Sequence, residues 1–262
     1  PAMTEPAFCL AEPRGRVLVL TINRPEVLNA LHRPAHLQME AALDAFAADP
    51  ELWVAIITGA GPRAFCAGND LKYQAAGNDT TAVPTGFAGL TSRFELNKPV
   101  IAAVNGVAMG GGFEIALACD LIIAAENAVF ALPEPRVGLA AMAGGLLRLP
   151  RQIGLKRAMG MILTGRHVPA REGLELGFVN EVVPEGEALA VAERWAARIA
   201  ELSPMSIRAS KEVVRRGLEM PLDEAYRLQR EFPAAKGMRA SEDFVEGPRA
   251  FAEKREPEWK GR

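Results

Sequence analysis

Cysteine is scarce: Cys9, Cys66 and Cys119 are widely spaced and odd in number in a chain of 262 residues. That pattern argues against a disulfide framework or a thiolate metal site and suits reduced cytosolic thiols, with Cys66 and Cys119 as small core residues. An excess of charge is missing too, since 30 Lys and Arg nearly balance 32 Asp and Glu for a net charge of -2. Without a basic field, nucleic acid is not expected as a partner. No apolar run reaches the roughly 18 to 20 residues that span a bilayer, and no basic segment followed by an apolar one marks the N-terminus. The expectation is a cytoplasmic protein with no membrane partner, starting naturally at Met3, with Pro1 and Ala2 outside the functional reading.

Missing motifs argue against whole enzyme classes. The glycines from Gly106 to Gly112 lack G-x-G-x-x-G spacing and a following acidic ribose ligand, which disfavours a dinucleotide site. Gly-Lys-Ser/Thr and G-x-S-x-G are absent, and with them P-loop and serine-hydrolase chemistry. The histidines are His32, His36 and His167. His32 and His36 share a helical spacing but have no third ligand, so a solvated helix face is expected there rather than a metal site.

Apolar residues make up 49% of the chain and charged residues 24%, which indicates a soluble globular protein with a substantial core and excludes general disorder. Branched-residue runs at 17–22, 53–58, 100–104 and 121–124 read as buried strands that stop at Asn23-Arg24-Pro25, Gly59-Ala60-Gly61-Pro62 and Asn105-Gly106. Residues 37–46 carry apolar side chains at helical spacing. The alternation indicates α/β organisation with crossover connections. Beyond Gly144 the chain reads as helices, at 155–163, 187–202, 206–219, 222–232 and 242–251, with a short apolar segment at 178–183. Loops are expected at Arg14-Gly15, 77–86 and 233–237.

Chemistry concentrates between Lys98 and Gly145. A strand ends at Asn105-Gly106, and Gly110-Gly111-Gly112 opens a helix through Phe113-Glu114-Ile115. Glycines at a helix start allow close backbone approach and leave N–H groups without intrahelical acceptors at the positive end of the dipole, suited to an anion or a developing oxyanion. Glu114 stands in that first turn among apolar neighbours, and Glu134, between Pro133 and Pro135, follows the next returning strand. Two carboxyls converging in an apolar pocket would have raised pKa values and act as acid and base near neutrality. A second segment, Ala67-Gly68-Asn69-Asp70, offers accessible backbone and an N-cap at Asp70.

Together AFCAGNDLK (64–72), NGVAMGGGFE (105–114) and FALPEPRVGL (130–139), with NRPEVLNAL (23–31) and the terminal AFAEKREPEWKGR, resemble the enoyl-CoA hydratase/isomerase, or crotonase, superfamily over essentially the whole chain. The resemblance implies an α/β fold with a crotonase-like ββα spiral core carrying the acyl-CoA site (4–200). It also implies a C-terminal helical trimerisation region (201–262), assembled as a homotrimer or a dimer of trimers. It implies an oxyanion hole from the backbone N–H groups of Asn69 and Gly111, and a catalytic pair Glu114 and Glu134. Coenzyme A contacts are implied at Ala67, Asn69, Asp70, Leu71 and Lys72, with Arg24, Val27, Phe251 and Lys254 as further candidates, the last two toward a neighbouring subunit. The substrate is then a coenzyme A thioester, with no permanently bound cofactor and no metal.

Retention of both glutamates favours hydration or dehydration of a 2-enoyl-CoA. The alternatives are an enoyl-CoA isomerase and a catalytically silent acyl-CoA-binding trimer. GFAGLT (86–91), GGGFEIALA (110–118) and EGPRAFAEKREPEWKGR (246–262) resemble most the branch that dehydrates carnitine-type thioesters. One departure bears on the acyl pocket: the loop after Glu134 reads Ala141-Met142-Ala143-Gly144-Gly145, with bulky Met142 where a small or polar residue is usual. A quaternary ammonium group would want a carboxylate or an aromatic face, for which Tyr73, Phe87 and Phe94 are candidates.

Overall fold

A parallel strand covered on both faces needs apolar or small residues at every position, and Val54–Gly59 meets that condition with all of its residues buried. The computed structural model describes residues 6–262, so the expected start at Met3 and the first residues of the expected core lie outside the described residues. In chain order the elements are β1 (Cys9–Arg14), β2 (Val17–Ile22), α1 (Arg33–Ala48), β3 (Val54–Gly59), β4 (Ala64–Cys66) and α2 (Leu71–Ala75). They continue with β5 (Val100–Val104), β6 (Val107–Met109), α3 (Gly111–Ala118), β7 (Leu121–Ala125) and β8 (Val129–Ala131). Then come α4 (Gly145–Ile153), α5 (Leu155–Thr164), β9 (Val168–Pro169), α6 (Ala170–Leu176), β10 (Glu181–Val183) and α7 (Ala188–Ala200). The last helices are α8 (Pro204–Gly217), α9 (Leu222–Leu228), α10 (Pro233–Ala240) and α11 (Glu242–Glu253).

One sheet runs β1-β2-β3-β5-β7-β10 and a second runs β4-β6-β8-β9. Successive strand pairs β3/β4, β5/β6 and β7/β8 each place the first member in the large sheet and the second in the small one, before helices return the chain. That repeat is the expected ββα spiral. In β3, Ala55 and Ile57 enter the main core shared with α1 and α3, whereas Val54 and Ile56 enter a second core under α7. β5 alternates in the same way, with Ala102 and Val104 on one face and Ile101 and Ala103 on the other. Burying both faces anchors β3 and β5, and the chain then passes into β4, β6 and β8 of the small sheet, after which come Ala67-Gly68-Asn69, Gly110-Gly111 and Glu134.

Two asparagines hold the turn between the sheets. Asn105 Nδ2 donates to the carbonyls of Gly59 (3.0 Å), Gly61 (2.8 Å) and Ala64 (3.2 Å), while its Oδ1 accepts from the Gly59 N–H. Asn29 Nδ2 reaches Ala60 and Ala64 from the other side. Asn105→Ala strips several backbone groups of their partner and is expected to cost about 2–3 kcal/mol, a fall of roughly 5–10 °C in melting temperature by calorimetry. An unchanged melting temperature would show that the turn holds without it.

The structure corrects several local expectations. Arg14-Gly15 is not a flexible loop: Gly15 and Arg16 form a tight turn that pairs β1 with β2 across Arg14 and Val17. β1 escaped notice because most of its residues face solvent. Ala64–Cys66, not expected as a strand, forms a short buried one. The helix expected at 222–232 ends at Leu228 in a 3-10 turn (Gln229–Glu231), and the loop expected at 233–237 is helical. Pro233 explains both: the residue before a proline is driven extended, as Phe232 is (φ -63°, ψ 141°), and proline itself suits the first helical position. Phe232 thereby buries its ring with Ala209 and Ala235 in a small core under α8 and α10.

Candidate active site

Each of the three adjacent glycines answers a different steric demand. Gly110 lies at φ +54° and ψ -124°, where a side chain is not accommodated, and a Cβ there would stand 2.8 Å from Glu134 Oε1. A Cβ on Gly111 would fall 2.5 Å from Phe87 Cε1, and one on Gly112 would run into the Cys66 carbonyl. The start of α3 is thus pressed between β4, Phe87 and Glu134.

Gly111 is the first residue of α3, so its N–H has no intrahelical acceptor. Asn69 forms a parallel bridge to Leu31: the Leu31 N–H bonds Gly68 O and the Asp70 N–H bonds Leu31 O, both at 2.8 Å. Strand geometry then turns the N–H of Asn69 away from Leu31. A Cβ on Gly68 would lie 3.2 Å from the Gly111 nitrogen, which shows how closely the two backbone segments approach. Asn69, Gly110, Gly111, Glu114 and Glu134 all line one cavity of about 660 Å³.

Glu114 is only 3% exposed, and its Oε1 accepts the Gly145 N–H (2.8 Å) at the first position of α4. Burial pushes its carboxyl up to about 7; the Gly145 bond opposes the shift and the neighbouring charge of Glu134 adds to it. Burial also raises Glu134, whose Oε2 is buried and finds no partner among the described residues. Among the described residues, neither carboxyl has a cationic side chain bonded to it. The arrangement is two protonatable groups of raised pKa beside two outward-facing N–H donors, as proton transfer next to a developing oxyanion requires.

The remaining predicted site residues divide. Ala67, Leu71 and Met142 line the cavity, Met142 at 82% exposure on its rim. Arg24 and Asp70 do not; they pair with each other at 2.9 Å, and Asp70 caps α2 by accepting the Tyr73 N–H. Lys72 is exposed on the first turn of α2, and Val27 closes a 3-10 turn (Pro25–Val27) away from the cavity. Phe251 and Lys254 sit at the end of α11 and do not line the cavity within the chain. Of the aromatic candidates, Phe87 is a wall, whereas Tyr73 packs on His32 and Phe94 lies under Arg148.

The histidine expectation is overturned. His32 is buried between Phe8 and Tyr73, and His36 lines the cavity with Nδ1 accepting the Ala88 N–H (3.0 Å). The signal was available: His32 stands three residues before Ala35 and His36 three before Met39, so both fall on the face of the buried stripe Ala35, Met39, Leu43 and Phe46 of α1. Within the wall formed by segment 80–92, the sequence marked only Phe87 and the GFAGLT motif (86–91).

The chain matches the enoyl-CoA hydratase/isomerase family over residues 12–262. It is 48% identical over 255 residues to the carnitinyl-CoA dehydratase of Salmonella heidelberg (strain SL476), covering 95% of this chain and 96% of that one. Among solved structures it resembles an enoyl-CoA hydratase from Mycobacterium tuberculosis H37Rv at 40% identity and a TM-score of 0.92, covering 98% of this chain and 100% of that one. A carnitinyl-CoA hydratase from Mycobacterium avium is similar at 43% identity and a TM-score of 0.78, with the same coverage.

Proposed function

The chain belongs to the enoyl-CoA hydratase/isomerase family, and from that premise we propose that it adds water to, or removes it from, the Cα–Cβ bond of a 2-enoyl-CoA thioester. The observation that carries this reading is the pair of raised carboxyls, Glu114 and Glu134, facing the glycine-rich start of α3 in one cavity. In the proposed reaction the thioester carbonyl accepts from the N–H groups of Asn69 and Gly111. Negative charge moves onto that oxygen as water attacks Cβ, where the α3 dipole stabilises it. One carboxylate takes the proton of the attacking water and the other carboxyl delivers a proton to Cα; dehydration runs the same steps backward.

Ala67 and Leu71 are proposed to line the path of the coenzyme A arm, with Lys72 on its outer side. The C-terminal helices leave large apolar side chains in solvent, Leu218 at 81%, Leu222 at 84% and Phe251 at 88% exposure. This supports residues 201–262 as an oligomerisation region, with Phe251 and Lys254 reaching a neighbouring copy. A carnitine-type acyl group is the second reading, favoured by the 48% identical dehydratase.

The test is hydration of crotonyl-CoA and crotonobetainyl-CoA, followed by loss of enoyl-thioester absorbance and set beside acyl-CoA binding by calorimetry. Turnover of either is the expected result. Tight binding with no turnover across the panel would instead favour a silent acyl-CoA-binding protein.

A further inference from the structure

The wall of the cavity made by α1 and segment 80–92 is unlike the rest of the acyl site. His36, Thr80, Thr91 and Ser92 place polar groups there, around the ring of Phe87. The backbone that carries them is strained: Gly86 (φ +84°), Ala88 (φ +56°) and Gly89 (φ +64°) are in the left-handed region, and Ala88 has a side chain to oppose it. Among the bonds that hold this turn, side chains accept two of its backbone N–H groups, Phe87 N–H to Thr91 Oγ1 (2.9 Å) and Ala88 N–H to His36 Nδ1 (3.0 Å).

The second bond has a chemical consequence for His36. A ring nitrogen that accepts carries no proton, so the imidazole is neutral and its proton sits on Nε2. Burial agrees with this, pushing His36 down to about 4. Nε2, on the opposite edge of the ring, donates to no acceptor among the described residues, while the side chain lines the cavity. The ring packs edge-on against Phe87 (centroids 4.5 Å apart), and Phe87 in turn covers the Cα of Gly111. His36 is thus separated from the proposed carbonyl site at Gly111 by the ring of Phe87, within the same cavity. Among the described residues, Glu114 and Glu134 are the carboxylates that line the cavity.

We propose that His36 is a specificity-determining donor, locked as the Nε2–H tautomer by Ala88, that selects acyl groups bearing a neutral oxygen acceptor, such as a hydroxyl, just beyond Cβ. This rests on the hydratase reading of the same cavity. A hydroxyl oxygen accepts from the Nε2–H and keeps that donor paired, whereas an apolar acyl chain strips the Nε2–H of water without replacing it.

His36→Asn separates the two roles of the ring, because the Asn carbonyl oxygen can accept the Ala88 N–H in place of Nδ1 while the Nε2–H donor is lost. The wild-type protein is expected to prefer 4-hydroxycrotonyl-CoA over crotonyl-CoA by about tenfold or more in kcat/KM. His36→Asn is expected to collapse that ratio toward unity. His36→Leu, which also abandons the Ala88 N–H, should lower turnover of both thioesters. A ratio unchanged in His36→Asn, or a wild-type protein with no preference, overturns the assignment. Absence of any turnover by wild type would instead overturn the hydratase reading itself.

Discussion

Glu114→Gln and Glu134→Gln, made separately, are each expected to reduce enoyl-CoA hydration by roughly 10²–10⁴-fold, because each removes one end of the proton relay. Gln keeps the shape, and at position 114 its carbonyl oxygen can still accept the Gly145 N–H. An isomerase would need one carboxyl and tolerate loss of the other, so near-normal rates in either variant would sink the two-carboxyl reading. The relay requires one carboxyl protonated and one ionised, which makes turnover bell-shaped in pH. The alkaline limb should lie near the value of about 7 to which burial pushes Glu114, although the apparent constants belong to the pair. A flat profile between about pH 5 and pH 9 would be incompatible with it.

Stability distinguishes a lost proton relay from a damaged fold. Glu114 rises from 4.5 in the unfolded chain to about 7 in the folded one, so its favourable contribution is complete below the lower value and is lost as pH rises through the upper one. Above that window an ionised, buried carboxylate costs up to about 3 kcal/mol, at about 1.4 kcal/mol per unit. Glu114→Gln should therefore be inactive yet at least as resistant to urea at pH 8 as wild type. A variant that is both inactive and markedly less stable would mean that Glu114 serves the fold.

Gly111→Ala is expected to lower kcat/KM for crotonyl-CoA by roughly 10²–10³-fold, the scale of losing one oxyanion donor. The new Cβ would sit 2.5 Å from Phe87 Cε1 and 2.9 Å from Cε2, so either the ring or the helix start must move. Movement of the helix start shifts the N–H proposed to hold the carbonyl oxygen, and errors of that kind cost rate rather than substrate affinity alone. Adding Phe87→Ala vacates the space and should recover part of the loss. No recovery, or a Gly111→Ala enzyme with normal kcat, would separate this N–H from the chemistry.

Much of the site was readable along the chain. Gly110-Gly111-Gly112 with Glu114, and Glu134 between prolines, are local patterns, and local patterns carry local chemistry: a helix start with free N–H groups, and a carboxyl in its first turn. The buried strands were equally legible, because 53–58 and 100–104 are apolar throughout, as strands covered on both faces must be. β1 was not, since an exposed edge strand carries no apolar signature, and 233–237 was misread because proline marks a helix start as well as a break.

The sequence by itself determined the buried strands of the large sheet and the two glutamates, which depend on residue type and spacing over a few positions, and the family resemblance, which implied the ββα order of elements. Only the tertiary structure decided that Arg24 and Asp70 satisfy each other, that Phe87 rather than Tyr73 or Phe94 walls the cavity, and that His36 turns inward. Those outcomes depend on which face of α1 meets segment 80–92, more than forty residues away, and burial of one helix face against a distant loop is set by packing rather than by neighbours in the chain.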